Sequence, residues 1–442
     1  MVPEIGARLL RWALRYAFWI SALAQLIVFL LLPIRPKPFG DRWFHEDASA
    51  LVAALKGGAT WSEVQVRHAP GPVLYYAVAY LWVPAAESGD LERHQYSAGV
   101  ALNLGVLVFS LFLVWRAAIL SGGLVAGAVA ALLLAVNPII PYYAWGILAE
   151  PPAYGGAALI AYAWARLSRR PAPSPAVWIA TAAFGCTALI ACRPNAILLV
   201  PLLGLLSLVP RLWGDERGQE VRRASLATAG LAMILCAALL IAPRLLFGGS
   251  NQQGVLGWVA LHGSFQFRND PLDWRYWDDA VRGGSTDYQA WRTTNDQIVE
   301  RANRTGQSVD LARLRWVIND FLTNPHLRLQ MGVVRALYSH VWVAHSASPH
   351  EFRLGPLRGS LAFYAVHGAL NLSLWAAVVC FLGLCWKSRA DLAAHWGLWA
   401  PWLSLLIFAS LVYAEPRYLY PGLPGVYVGA GQLVSGWLRK LG

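Results

Sequence analysis

Pro72-Val73-Leu74-Tyr75-Tyr76-Ala77-Val78-Ala79-Tyr80-Leu81-Trp82-Val83-Pro84-Ala85-Ala86 is the stretch whose placement decides how the rest of the chain folds. If these residues crossed a membrane on their own, every loop from Arg116 to Arg223 would change side. The run is shorter than the roughly 20 apolar residues that a helical crossing needs. It also carries Tyr75, Tyr76, Tyr80 and Trp82, ring side chains with a polar edge that settle at the headgroup level. The composition therefore predicts a helix lying in the membrane interface.

Apolar runs dominate the chain on either side. Of its 442 residues, 57% are hydrophobic and 14% charged, against roughly 25% charged in a soluble domain. Runs near 12–33, 96–115, 122–143, 151–167, 174–192, 195–210, 224–246, 361–386, 393–413 and 418–437 read as membrane spans. A second short stretch, Leu327–His345, sets Leu327, Met331, Val334, Tyr338 and Val341 at helical spacing, with Arg328 and Arg335 on another face. That pattern is an amphipathic surface helix. With both short stretches in the interface, the basic loops all share one side: the N-terminus, Arg116, Arg166/Arg169/Arg170, Arg211 to Arg223, Lys387/Arg389 and Arg439/Lys440. The positive-inside rule makes that side cytoplasmic. The expectation is an all-α polytopic membrane protein of about ten transmembrane helices, with both termini cytoplasmic. A pair of extra crossings at the two short stretches is the alternative.

The net charge of +12 sits mostly in these short loops, where it orients spans and does not describe a nucleic-acid surface. Arg8, Arg11 and Arg15 precede an apolar run that ends at Pro33 without a small-residue cleavage site, so this run reads as an anchor. Cys186, Cys192, Cys236, Cys380 and Cys385 all lie in apolar runs and behave as small hydrophobes, not as a disulfide framework or metal site.

Three modules follow: 1–247, a membrane module with its first outer loop at 35–95; 248–330, an extracytoplasmic loop; and 331–442, an interfacial helix with the C-terminal spans. In the long loop the acidic and basic residues nearly cancel. Asp310–Asn324 has helical period and stops at Asn324-Pro325, because the residue before proline avoids the helical region. A segment of this length with helices and aromatics reads as a lid or substrate-binding surface.

On the outer side the charged residues gather, and charge at span ends is costly enough to signal function. Glu46-Asp47 is an acid pair opening a helix-like stretch, Ala48 to Leu55. Glu150-Pro151-Pro152, Arg193-Pro194-Asn195 and Glu415-Pro416-Arg417-Tyr418 each set an acid or arginine beside a proline in a short turn. Arg67, His68 and Arg93 lie in the first outer loop. Transfer of a sugar from a lipid phosphate needs these types of residue. A carboxylate takes the acceptor's proton, and guanidinium or imidazolium groups stabilise the departing phosphate. Each residue also has a plainer reading: Glu46 and Asp47 as helix N-terminal charge, Arg93 as half of an exposed pair with Glu92, and Arg193 and Arg417 as snorkelling anchors.

Five pieces in order resemble the GT-C superfamily of membrane glycosyltransferases, in particular bacterial relatives of protein O-mannosyltransferases and the lipid A aminoarabinose transferase. Glu46-Asp47-Ala48 resembles the Asp-Glu-Ala start of the family's first outer loop. Arg67-His68-Ala69-Pro70-Gly71-Pro72-Val73-Leu74-Tyr75-Tyr76 resembles its basic-Pro-Pro-Leu-Tyr-Tyr segment. Leu148-Ala149-Glu150-Pro151 is similar to the acid that opens a later span, and Ala191-Cys192-Arg193-Pro194-Asn195 to an Arg-Pro-Asn turn. Glu415-Pro416-Arg417-Tyr418-Leu419-Tyr420-Pro421-Gly422-Leu423-Pro424 resembles the Glu-x-Arg-Tyr-x-x-Pro-x-x-Pro ending. Asn324-Pro325 to Trp342 is similar to the family's Asn-Pro and following amphipathic helix.

The resemblance implies inverting transfer from a polyprenyl-phosphate sugar to a lipid, glycan or protein acceptor at the outer face of a bacterial inner membrane. Glu46 or Asp47 would be the base. His68 stands at a phosphate-binding lysine position, and Arg93, Glu150, Arg193, Arg417 and Tyr418 would bind substrate. The acid order is reversed relative to many relatives, which leaves the choice of base open. No Asp-x-Asp pattern assigns a metal ligand, so use of a divalent metal stays undecided. The alternative function is a transporter or flippase of lipid-linked sugars, whose sign would be inverted repeats and midplane charges; no repeat is visible and the span interiors carry almost no charge.

Overall fold

The computed structural model describes residues 2–31, 42–58, 64, 70–84, 88–137, 143–169, 174–207, 216–247, 255–270, 285–340, 361–387, 395–412 and 419–441. Among these the regular elements are helices: α1 Val2–Leu31, α2 Arg42–Leu55, α3 Pro70–Leu81, α4 Ser88–Gly122, α5 Leu124–Ala135, α6 Glu150–Leu167, α7 Pro175–Cys192, α8 Leu199–Ser207 and α9 Glu216–Phe247. They continue with α10 Val255–Gly263, α11 Thr286–Thr305, α12 Val309–Thr323, α13 Pro325–Tyr338, α14 Leu361–Lys387, α15 Trp396–Leu411 and α16 Leu423–Leu441. A helix stands at each expected span. Three of them, Asp90–Gly122, Pro175–Cys192 and Gln219–Leu239, are long and apolar enough to cross a membrane. The span expected at 195–210 is broken, with a 3-10 turn at Pro194–Leu198 before the nine residues of α8. The decisive stretch lies mainly on a 12-residue helix, α3, the same length as α5 at the span expected over 122–143; of Leu327–His345, residues 327–338 lie on the 14-residue α13 and 341–345 lie outside the described residues.

The chain forms two compact units: 1–250 with 368–404 and 420–442, and 251–367 with 405–419. In the first, small residues let backbones close on one another, the usual way to pack helices where lipid removes the hydrophobic drive between them. A Cβ on Gly156 of α6 would lie 2.7 Å from the Gly185 carbonyl of α7, and one on Gly185 would lie 2.6 Å from the Gly156 carbonyl. The two helices run antiparallel, so this contact sets the register that carries Glu150 towards Arg193. Gly71 at the start of α3 docks in the same place, its absent Cβ falling 2.6 Å from Ala191 C and 2.7 Å from Cys192 N. α3 buries Val73, Tyr76, Ala77 and Tyr80 and exposes Leu74, Val78 and Leu81, with Trp82 exposed just past its end. One face is packed and the other apolar and open.

The second unit has its own core of Leu261, Phe265 and Trp291, with Tyr288, Ile298 and Trp316 packed against it. Its α12 ends at Thr323 and α13 starts at Pro325, with Asn324 outside the helical region at φ −128°. The facing of α13 corrects the placement of its two arginines, which were expected on a face away from Met331. Arg328, Met331, Gly332 and Arg335 are buried, whereas Leu329, Val333 and Leu337 are exposed. Both arginines turn inward because they find partners there. Arg335 donates to Gly263 O, and lies 3.4 Å from Ser410 O. Those carbonyls end α10 and α15, where the helix dipoles favour a cation. Arg328 pairs with Asp320, which also takes two parallel hydrogen bonds from Arg268 at 2.8 Å. A planar guanidinium suits that bidentate geometry.

Two predictions come from this packing. Gly71→Ala should cost about 1–3 kcal/mol, because the displaced atoms are backbone, whereas Gly105→Ala in α4, with open space around it, should be neutral or stabilising by about 1 kcal/mol. The midpoints of thermal unfolding in detergent check this, and equal midpoints would refute the close-docking account. The second concerns acid. Burial alone would raise the Asp320 carboxyl, but the Arg268 hydrogen bonds, the Arg328 charge and Asn324 outweigh it and hold the group below its ordinary value. A depressed carboxylate contributes stability above its unfolded value, near 3.8, and loses it as pH falls through the folded value. Proteolysis of the second unit should therefore accelerate below about pH 4 by a larger factor in the native chain than in Asp320→Asn, which starts from a lower stability.

Candidate functional site

α2 begins at Arg42, a full turn before the position expected from the acid pair. Glu46 and Asp47 thus lie in its second turn, which removes the reading of them as N-terminal dipole charges. The helix buries Phe44, Asp47, Ala48, Leu51 and Val52, a stripe at helical spacing that faces inward. Asp47 is on that stripe at 1% exposure. Glu46 is on the flank, its side chain 34% exposed, and pairs with Arg42 one turn earlier at 2.6 Å. An i,i+4 pair of this kind explains Glu46 as ordinary surface chemistry. That pair does not involve Asp47, whose carboxylate is carried inward on the buried stripe, a position that is costly unless polar groups meet it.

α2 packs against α3, and the contact is partly polar. His45 Nδ1 lies 2.9 Å from the Tyr80 hydroxyl. Burial pushes His45 below its ordinary value, against the opposing pull of Glu92 and Glu46. Ser49 donates to Gln95 at 2.8 Å, which ties α2 to the first turns of α4. Arg93, on the same part of α4, is exposed.

One helical turn before Tyr80, Tyr76 is wholly buried. Its hydroxyl is 2.8 Å from Leu148 O and accepts from the Leu148 N–H at 2.9 Å. Asn103 of α4 donates to Ala144 O at 3.1 Å and to Gly146 O at 2.8 Å. Tyr96 donates to Trp145 O, and Trp145 donates to Phe29 O at 2.7 Å while stacking on the Phe29 ring. The backbone of 144–148, otherwise an irregular buried turn, is thereby satisfied by side chains from α3 and α4, while the Trp145 indole ties the turn to α1.

That turn delivers Glu150. The carboxylate is 3% exposed at the start of α6, where the helix dipole favours a negative charge, and it pairs with Arg193 at the end of α7. Beside it, Asn103, Tyr143, Glu150, Tyr154, Tyr420 and Pro421 line a crevice of about 20 Å³, room for a single water-sized group. Tyr143 and Tyr420 face one another with ring centres 6.1 Å apart. Parts of four of the five sequence motifs therefore meet in the first unit: 70–76, 148–151, 191–195 and 420–424.

The structure brings together Glu150 and Arg193 directly, and links them through Tyr76 and Tyr80 to the α2 helix that holds Glu46 and Asp47. His68, Arg417 and Tyr418 lie outside the described residues, as do Asp41 and Glu415. Among the described residues, no three His, Cys, Asp or Glu side chains converge as metal ligands. Tyr76 and Asn103 are the positioning residues that sequence reasoning passed over. Asn103 carried a usable signal, since an amide in an apolar run needs a partner inside the bundle.

No protein-family model matches the sequence, and no curated protein matches it. A solved structure does: the oligosaccharyltransferase of Archaeoglobus fulgidus, determined with a tethered acceptor peptide, is similar with a TM-score of 0.52 over 98% of this chain at 13% identity. The chain spans about half of that enzyme, 51% of its length. The order of the motifs, the helices that carry them and this likeness agree on one architecture: the chain has the GT-C fold.

Proposed function

We propose that this protein is an inverting glycosyltransferase that moves a sugar from a polyprenyl-phosphate donor to a lipid, glycan or protein acceptor at the outer face of a bacterial plasma membrane, with both termini cytoplasmic. The single observation behind the catalytic assignment is the inward position of Asp47 on a helix that the Arg42–Glu46 pair otherwise explains as a surface element. Asp47 is the base. Its carboxylate accepts the proton of an acceptor hydroxyl as that oxygen attacks the anomeric carbon. The bond from that carbon to the phosphate oxygen breaks on the opposite face, and the polyprenyl phosphate leaves with the charge. Glu150 holds the guanidinium of Arg193 in a fixed orientation, as a second layer of polar contacts does for groups that must meet developing charge. His68, Arg93, Arg417 and Tyr418 complete the donor site in this reading, on the strength of the motifs they belong to. The likeness to an oligosaccharyltransferase supports the class of reaction and leaves the sugar and acceptor to experiment.

Two measurements test this. In membranes supplied with polyprenyl-phosphate sugars, Asp47→Asn should lower transfer at least about 100-fold, the ordinary scale for a general base, whereas Glu46→Gln should retain most activity. Equal activity of both variants with the native chain rejects the assignment, and the reverse pattern makes Glu46 the base. For the buried pair, Glu150→Gln and Arg193→Gln should each destabilise by about 3 kcal/mol, and the double variant should lose clearly less than their sum. Additive losses would mean that the two side chains do not act as a unit.

A further inference from the structure

α6 runs from Glu150 to Leu167, 18 residues, or about 27 Å at the helical rise. That is close to the roughly 30 Å of a bilayer's hydrocarbon core. The Glu150–Arg193 pair sits at one end. At the other, a cavity of about 160 Å³ opens between the ends of α4 and α6 and the start of α15, lined by Leu120, Trp164, Ser168, Arg169, His395 and Leu398, among others.

Three arginines stand on the last turns of α4 and α6 or just past them, and two are already placed. Arg116 lies over the Trp115 ring at 5.8 Å. Arg166 lies over the Tyr162 and Trp178 rings at 5.5 and 5.1 Å and donates to the Tyr162 hydroxyl at 3.1 Å. Arg169 is exposed, lines the cavity, and has no side-chain partner among the described residues. α15 begins on the same cavity. Gly397 seats that helix against Trp164, since a Cβ there would fall 2.6 Å from the Trp164 Cβ. Its first backbone N–H groups lack partners within the helix and add positive potential beside His395.

We propose that this cavity binds the phosphodiester headgroup of an anionic phospholipid, in the leaflet opposite the Glu150–Arg193 pair. Arg169 and the α15 N-terminus supply the cationic, hydrogen-bonding side that a phosphate needs. Leu120, Trp164 and Leu398 supply apolar walls suited to the glycerol and first acyl carbons, which a free phosphate would leave unused. A basic pocket between membrane helices on the positive-inside face is the setting in which acidic lipids are recognised. The site does not depend on the sugar-transfer reading, and binding can be measured whether or not turnover is found.

The test uses the full chain in neutral detergent, read by native mass spectrometry and thermal midpoint. The probes are dioleoyl-phosphatidylglycerol, dioleoyl-phosphatidylcholine and inorganic phosphate. Phosphatidylglycerol should be retained and should raise the midpoint, and phosphatidylcholine should do neither. Arg169→Gln should weaken phosphatidylglycerol binding about fivefold or more, the scale of one basic residue at a membrane surface. Arg439→Gln, on α16, should bind as the native chain does, and Arg169→Lys should fall between Gln and native. Equal binding of the two lipids, or unchanged binding by Arg169→Gln, would mean that Arg169 only offsets the C-terminal dipole of α6 and would overturn the proposal. An Arg169-dependent shift of the same size with inorganic phosphate would overturn the lipid assignment in favour of a soluble phosphate.

Discussion

The contact of Gly156 with Gly185 governs the first unit. Neither residue has room for a Cβ, so α6 and α7 can lie backbone to backbone, and their antiparallel register is set there. Six residues before Gly156, at the start of α6, stands Glu150, and the facing end of α7 is capped by Arg193. The ion pair between them is therefore a consequence of helix packing before it is a piece of chemistry. Gly71 then sets α3 on the backbone of the same α7 end, which brings Tyr76 under the turn that precedes Glu150.

From that seat the remaining site geometry follows. The Tyr76 hydroxyl and the Asn103 amide hold the backbone of 144–148. Tyr80, one turn on, meets His45 of α2, and α2 turns Asp47 inward. A buried polar chain of this kind is stiff only while each group has its partner. Small residues, aromatic hydroxyls and one amide thus do the positioning, and the charged groups occupy the ends of the chain of contacts. The second unit uses the opposite arrangement: Arg268, Arg328 and Arg335 form its interior polar links, and apolar side chains of α13 face out.

Much of the fold was legible because membrane helices announce themselves by length and apolarity, and no internal rule competes with that signal. The aromatic content of 72–86 is what sets α3 apart in the sequence, since α5 is equally short and carries no ring. Helix starts were less legible. The acid pair suggested a start at position 48, yet α2 begins at Arg42, since Phe44 extends the same buried stripe by a turn. For α13 the apolar stripe of Leu327, Met331, Val334 and Tyr338 was read correctly, and the inward turn of Arg328 and Arg335 was not. Periodicity identifies two faces of a helix but cannot say which finds better partners, and here Asp320 and two helix ends attract the arginines.

By itself the sequence determined the helical class, the order of the motifs, the basic loops and the set of residue types that could serve a lipid-phosphate reaction. Only the tertiary structure decided which of these meet. It paired Glu150 with Arg193, set Asp47 inward and Glu46 against Arg42, and revealed Tyr76 and Asn103 as the groups that hold the turn between them. The physical reason is that these choices depend on close approach between segments far apart in the chain. Such approach depends on where a Cβ is missing and which buried carbonyl needs a donor, and a linear pattern of apolar and charged residues records neither.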